Sequence, residues 1–122
     1  MKNSLAVIAG GAIGASFRGA LGTLLNGSPI ATFLVNVIGS ILLGFFYQHV
    51  KSNTRLSDPS KKFIATGLLG SFTTFSTYSL DLFLYLKEER FLAVGVYGVG
   101  SILAGILGVI LGVSLAKKVR RL

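Results

Sequence analysis

Four apolar stretches, at about residues 5–25, 30–50, 63–86 and 91–116, take up most of this 122-residue chain and leave it few ways to fold. A hydrocarbon core is crossed by about 20 helical residues, and each stretch meets that length. The connections between them are short. Asn26-Gly27-Ser28-Pro29 has the residues of a helix stop followed by a helix start, residues 51–62 form a polar loop with Pro59, and Lys87-Glu88-Glu89-Arg90 is a charged turn. Charged residues make up 13% of the chain, about half of the roughly 25% usual in globular domains, and the mean hydropathy is +0.74. A soluble domain would lack the polar residues to cover itself. The sequence therefore predicts an all-α membrane protein, one domain over residues 1–122 with four transmembrane helices. The first stretch has no convincing small-residue cleavage site and reads as a retained helix.

The net charge of +8 invites a nucleic-acid reading, but the basic residues flank the spans and form no face interleaved with aromatics. No nucleic acid is expected as a partner. Lys2, Lys51, Arg55, Lys61, Lys62, Lys117, Lys118, Arg120 and Arg121 fall on one side and only Lys87 and Arg90 on the other, so the positive-inside rule places both termini in the cytoplasm. Enzymatic chemistry is not expected. The chain has no cysteine, and His49, near a helix end, makes no acid–base pair or metal cluster with Asp58, Asp81, Glu88 and Glu89.

Sixteen glycines in four helices weaken those helices unless they let them approach closely. Small residues recur four apart as Gly10 and Gly14, Ser40 and Gly44, Ser101 and Gly105, and Ala104, Gly108 and Gly112. They predict packing seams.

Polar residues inside spans are the functional candidates. Arg18 lies well inside the first stretch, where it either snorkels or pairs structurally, or attracts anions. Thr32 and Asn36 share a helix face, and the Asn36 amide is either interhelical glue or a donor to a passing ion. The third stretch holds Gly70-Ser71-Phe72-Thr73-Thr74-Phe75-Ser76-Thr77-Tyr78-Ser79, where glycine and β-branched threonines weaken the helix. A break there would free carbonyl oxygens in mid-membrane, which attract a cation such as sodium. Phe75 and Tyr78 share a face, and ring edges turned inward can solvate an anion; ordinary aromatic packing is the alternative.

Residues 10–18 (Gly-Gly-Ala-Ile-Gly-Ala-Ser-Phe-Arg), Thr32 to Asn36 followed by Gly39, and residues 67–79 together resemble the Fluc (CrcB) fluoride channels. The likeness covers the whole chain in length, helix number and motif order, and the third motif is its most specific part. The resemblance implies four-helix chains with a broken third helix, assembled as antiparallel dimers that export fluoride passively across a microbial cell membrane. It implies that Asn36 donates to fluoride, and that Phe75 and Tyr78 take the two aromatic ion-coordinating positions. Ser76 and Thr77 would belong to a hydroxyl track with Thr32 nearby, and Tyr97 and Ser101 would lie near the ion path. Arg18 would line the vestibule, and Asp81 matches an acidic position just after the third-helix motif. The main-chain carbonyls of Gly70 and Thr73 would hold a structural sodium ion on the dimer axis.

This chain departs from the family pattern in two ways. Tyr78 stands where a second phenylalanine is typical. Nine basic residues against two favour a single orientation, whereas a chain inserting both ways needs balance. The bias favours a heterodimer with an oppositely oriented sister chain over a dual-topology homodimer. Two other classes share the length: a small proton-coupled drug exporter, which would want a carboxylate in the first helix, and a non-conducting structural subunit.

Overall fold

The computed structural model describes residues 1–52 and 55–122, so residues 53 and 54 of the polar loop lie outside the described residues. The four-helix plan is present: helix α1 (Lys2–Leu24), helix α2 (Pro29–Ser52), an interrupted third passage, and a long final helix (Phe91–Arg121). The third passage has four parts. Helix α3 (Asp58–Lys61) widens into a π-helical stretch (Lys62–Leu69), which tightens into helix α4 (Gly70–Phe72), and helix α5 (Ser76–Lys87) follows a gap. The final helix is therefore α6. The expected break is real, and it falls at residues 73–75, where Thr73 takes an extended backbone with ψ 160°.

Both tight reversals use left-handed backbone. At the end of α1, Asn26 and Gly27 have φ 57° and 64°, and the Gly27 N–H reaches back to the Gly22 carbonyl at 2.7 Å. At the end of α5, Glu89 has φ 57° and the Arg90 N–H bonds the Tyr85 carbonyl at 2.9 Å. These five-back bonds satisfy helix-end carbonyls before the chain turns. Pro29 then opens α2 at the position where a missing N–H is harmless. The polar loop ends with Ser57, whose side chain accepts from the Ser60 N–H and so caps α3.

Because the chain reverses at each connection, α1 runs parallel to the third passage and α2 runs parallel to α6. These two pairings are the most extensive in the molecule. Both depend on glycine. A Cβ on Gly14 would fall on the Leu68 carbonyl oxygen, and one on Gly112 would fall on the Ile41 carbonyl oxygen. The backbones thus touch directly, the packing available where water exclusion supplies no drive. Large side chains point outward instead, with Leu92 82% and Leu107 65% exposed. α1, α2 and α6 are each long and apolar enough to cross a membrane.

Candidate functional site

The gap at residues 73–75 breaks the helical hydrogen-bond ladder, and the fate of each freed group defines the site. In an unbroken helix the Thr74 N–H would donate to the Gly70 carbonyl. Here it donates to Asn36 Oδ1 at 2.7 Å, while Asn36 Nδ2 donates to the Thr74 carbonyl at 2.9 Å. One amide side chain on α2 thus replaces the helix partner on both sides of Thr74. The Thr77 N–H, which would otherwise seek the Thr73 carbonyl, donates to Thr74 Oγ1 at 3.2 Å, a local side-chain bond just ahead of the restarted helix. The Ser71 carbonyl takes the Arg18 Nε–H at 3.0 Å. Thr73 Oγ1 and the Thr73 N–H both return to the Leu69 carbonyl, each at 3.2 Å. The Gly70, Phe72 and Thr73 carbonyls are left without their helical donor.

Gly39 brings α2 close to the gap, since a Cβ there would overlap the Thr73 methyl group. Two grooves flank the gap and meet at Thr74. One, of about 170 Å³, is lined by Arg18, Thr32, Thr74 and Thr77 with small residues of the first turn. The other, of about 290 Å³, is lined by Asn36, Ser40, Phe75, Tyr78 and Ser101 with Thr73 and Thr74. Asn36 keeps one Nδ2 hydrogen beyond the bond to Thr74, because a primary amide has two. The Ser101 hydroxyl in the same groove is buried with no hydrogen-bond partner among the described residues. Such an orphan is costly in a protein interior and marks a place that lacks a ligand or partner.

The two aromatic candidates adjoin, with ring centroids 5.7 Å apart, but their environments differ. Phe75 is 77% exposed, whereas Tyr78 is 8% exposed and donates its phenol proton to the Gly98 carbonyl at 2.7 Å. That hydroxyl is an anchor between α5 and α6. Tyr78 also packs at a tilt against Tyr97, whose ring centroid is 5.5 Å away. Tyr97 Oη donates to Asp81 Oδ2 at 2.7 Å, with the Thr32 hydroxyl against the same phenol. Asp81 and Thr32 are both buried, so this network ties α5, α6 and α2 together one turn beyond the aromatic pair.

The structure therefore brings Asn36, Phe75, Tyr78 and Ser101 to one groove, and Arg18, Thr32 and Thr77 to the other. Tyr97 and Asp81 stand together beside them, in the network just described. Ser76 is exposed at the start of α5, with its hydroxyl 3.2 Å from Thr74 Oγ1. Thr74 is the residue that sequence reasoning passed over, although it is the hinge of both grooves. Its position three before Thr77, where a threonine hydroxyl can accept a backbone N–H, is the signal that points to it. Ser40, a residue of the predicted packing seams, also lines the larger groove and donates to the Asn36 carbonyl at 2.7 Å.

Residues 5–113 match the family model described as CrcB-like protein, Camphor Resistance (CrcB). The chain is 40% identical over 119 residues to a protein of Oceanobacillus iheyensis named fluoride-specific ion channel FluC, covering 95% of this chain and 92% of that one. It is 36% identical to a protein of the same name from Chloroflexus aurantiacus, covering 96% and 97% of the two chains. A Helicobacter pylori protein of that name is 38% identical, with 88% of each chain covered.

Proposed function

The chain belongs to the CrcB-like family, and from that membership we propose that it is a subunit of a fluoride-selective channel, through which fluoride leaves the cytoplasm passively. The observation that carries this reading is the groove beside the gap. It gathers a spare amide N–H on Asn36, a partnerless hydroxyl on Ser101 and the exposed ring of Phe75. Fluoride is small and strongly hydrated, so a pore must replace its water with several hydrogen-bond donors. Neutral donors do this without a fixed cation that would trap the ion, since conduction needs binding weak enough to release.

In this reading Arg18 draws the anion to the narrower groove, and Thr32, Thr77 and Ser76 present hydroxyls past Thr74. Asn36 donates its remaining N–H, the Phe75 edge offers its positive rim, and Ser101 donates the proton that has no partner in the single chain. The Tyr78 ring lines the same groove while its hydroxyl stays on Gly98. The Tyr97–Asp81 pair fixes the wall beside the path.

A structural sodium ion fits the residues present. The Gly70 and Thr73 carbonyls are both deprived of helical donors, as is that of Phe72 between them, and Gly70 is exposed on the single chain, where a second subunit could reach it. When bound there, sodium would add positive potential behind the donors.

The exposed Phe75 and Gly70 support an antiparallel dimer that covers this face. The charge bias supports a heterodimer with an oppositely oriented sister chain, both termini of this chain being cytoplasmic, in a multi-pass protein of a microbial plasma membrane. The test is fluoride efflux from liposomes holding this chain alone or with a sister chain, with chloride as control. Fluoride-selective efflux in either arm supports the channel, and efflux from the chain alone rejects the heterodimer. Silence in both arms rejects the channel.

A further inference from the structure

The entire net charge of the chain stands at one end of the bundle. Nine basic residues and Asp58 lie there, while Lys87 and Arg90 are matched by Glu88 and Glu89 at the other end, and Arg18 and Asp81 cancel inside the spans. Parallel pairing brings the end of α2, with Lys51, level with the end of α6. α6 has 31 residues, so at a rise of about 1.5 Å it is about 46 Å long against a hydrocarbon core of about 30 Å. Its last turns must therefore run through the headgroup layer.

Those turns are two-faced. Lys117, Lys118, Arg120 and Arg121 are all exposed, and α6 contains no acidic residue to pair with them. Leu111, Leu115 and Val119, four apart and so on one stripe, are 49%, 42% and 54% exposed. The cations suit the carbonyl end of a helix and the rule for membrane orientation. Neither requirement calls for Val119 to carry the stripe of Leu111 and Leu115 on among the cations, beyond residue 116 where the apolar stretch ends.

We propose that the end of α6 is a binding surface for anionic phospholipid, with headgroup phosphates held by Lys117, Lys118, Arg120 and Arg121 and acyl chains lying along Leu111, Leu115 and Val119. A basic segment of this kind attracts anionic lipid near the surface, the more strongly with each added cation. The stripe selects a lipid over a soluble anion, because only a lipid brings an apolar chain with its phosphate. This surface is separate from the fluoride path and does not depend on it.

The test uses the full chain, in its assembled form, in phosphatidylcholine bilayers containing spin-labelled phosphatidylglycerol or spin-labelled phosphatidylcholine. The fraction of label slowed by the protein is read by electron spin resonance. Phosphatidylglycerol should be retained at least about threefold over phosphatidylcholine, and the preference should shrink with salt. The K117Q/K118Q/R120Q/R121Q variant should bring the ratio to about one, and L115S/V119S should reduce it with the cations intact. Equal retention of the two lipids by the native chain, or a salt-independent preference, overturns the proposal, and both readings need no variant. Displacement of the label by inorganic phosphate overturns it in favour of a free-phosphate site. Fluoride efflux is a separate readout and should be unchanged in the quadruple variant.

Discussion

The α2–α6 pair and the gap at residues 73–75 are opposite answers to one problem. Along α2 and α6 the backbone satisfies itself within each helix, and the sequence supplies only smallness, as at Gly112 against the Ile41 carbonyl. At the gap the ladder is broken, and Asn36, Arg18 and Thr74 supply what the helix no longer does. A polar side chain beside an irregular membrane segment is therefore first a replacement for backbone. In the proposed channel, what is left over is what can meet an ion, as with one hydrogen of Asn36, the hydroxyl of Ser101 and the rim of Phe75.

The largest effect should come from removing the replacement. Asn36→Leu deprives both the N–H and the carbonyl of Thr74 of their partners, at an expected loss of about 2 to 5 kcal/mol. Thermal unfolding in detergent should drop sharply and fluoride efflux should vanish. A variant that unfolds like the native chain would break the contrast between the two regions.

Phe75→Ile separates ion contact from architecture. The ring is 77% exposed in the single chain, so its loss should barely change folding there. Efflux should nevertheless fall at least about tenfold, corresponding to about 1.4 kcal/mol of lost ion stabilisation. Unchanged efflux would remove the aromatic edge from the path.

The frame has its own test. Gly112→Ala puts a methyl group on the Ile41 carbonyl oxygen and forces α6 from α2, an overpacking cost of about 1 to 3 kcal/mol. Gly19→Ala, with nothing within 4 Å of the added carbon, should be neutral or slightly stabilising. Similar unfolding temperatures for the two variants would show that the α2–α6 seam is looser than its backbone contact indicates.

The four-helix plan and the gap were legible because hydropathy and the run from Gly70 through the β-branched threonines act locally. The Thr32–Asn36 spacing placed the amide on a useful face, but its double bond to Thr74 depends on where α2 crosses the third passage. The π-helical stretch was not legible. Lys62 to Leu69 is ordinary helical sequence, and what is unusual there lies across the seam, where Gly10 and Gly14 meet the carbonyls of Phe63 and Leu68. The apolar pattern also ended α6 near residue 116, whereas the helix runs to Arg121, because lysine and arginine continue a helix as readily as leucine does.

Tyr78 stands on the boundary between the two regions, and Tyr78→Phe has the smallest expected effect. Its ring belongs to the proposed ion groove and its hydroxyl to the frame, through the 2.7 Å bond to the Gly98 carbonyl. A phenylalanine keeps the ring and leaves that carbonyl its own helical donor, so the loss is one interhelical bond of about 1 kcal/mol. Unfolding should shift slightly, and fluoride efflux should stay within about threefold, a difference of about 0.6 kcal/mol, with chloride still excluded. Faster efflux would mean that the hydroxyl obstructs the path. A collapse of efflux with stability retained would mean that the anchor holds the ring edge in register, which would make the frame itself part of the ion site.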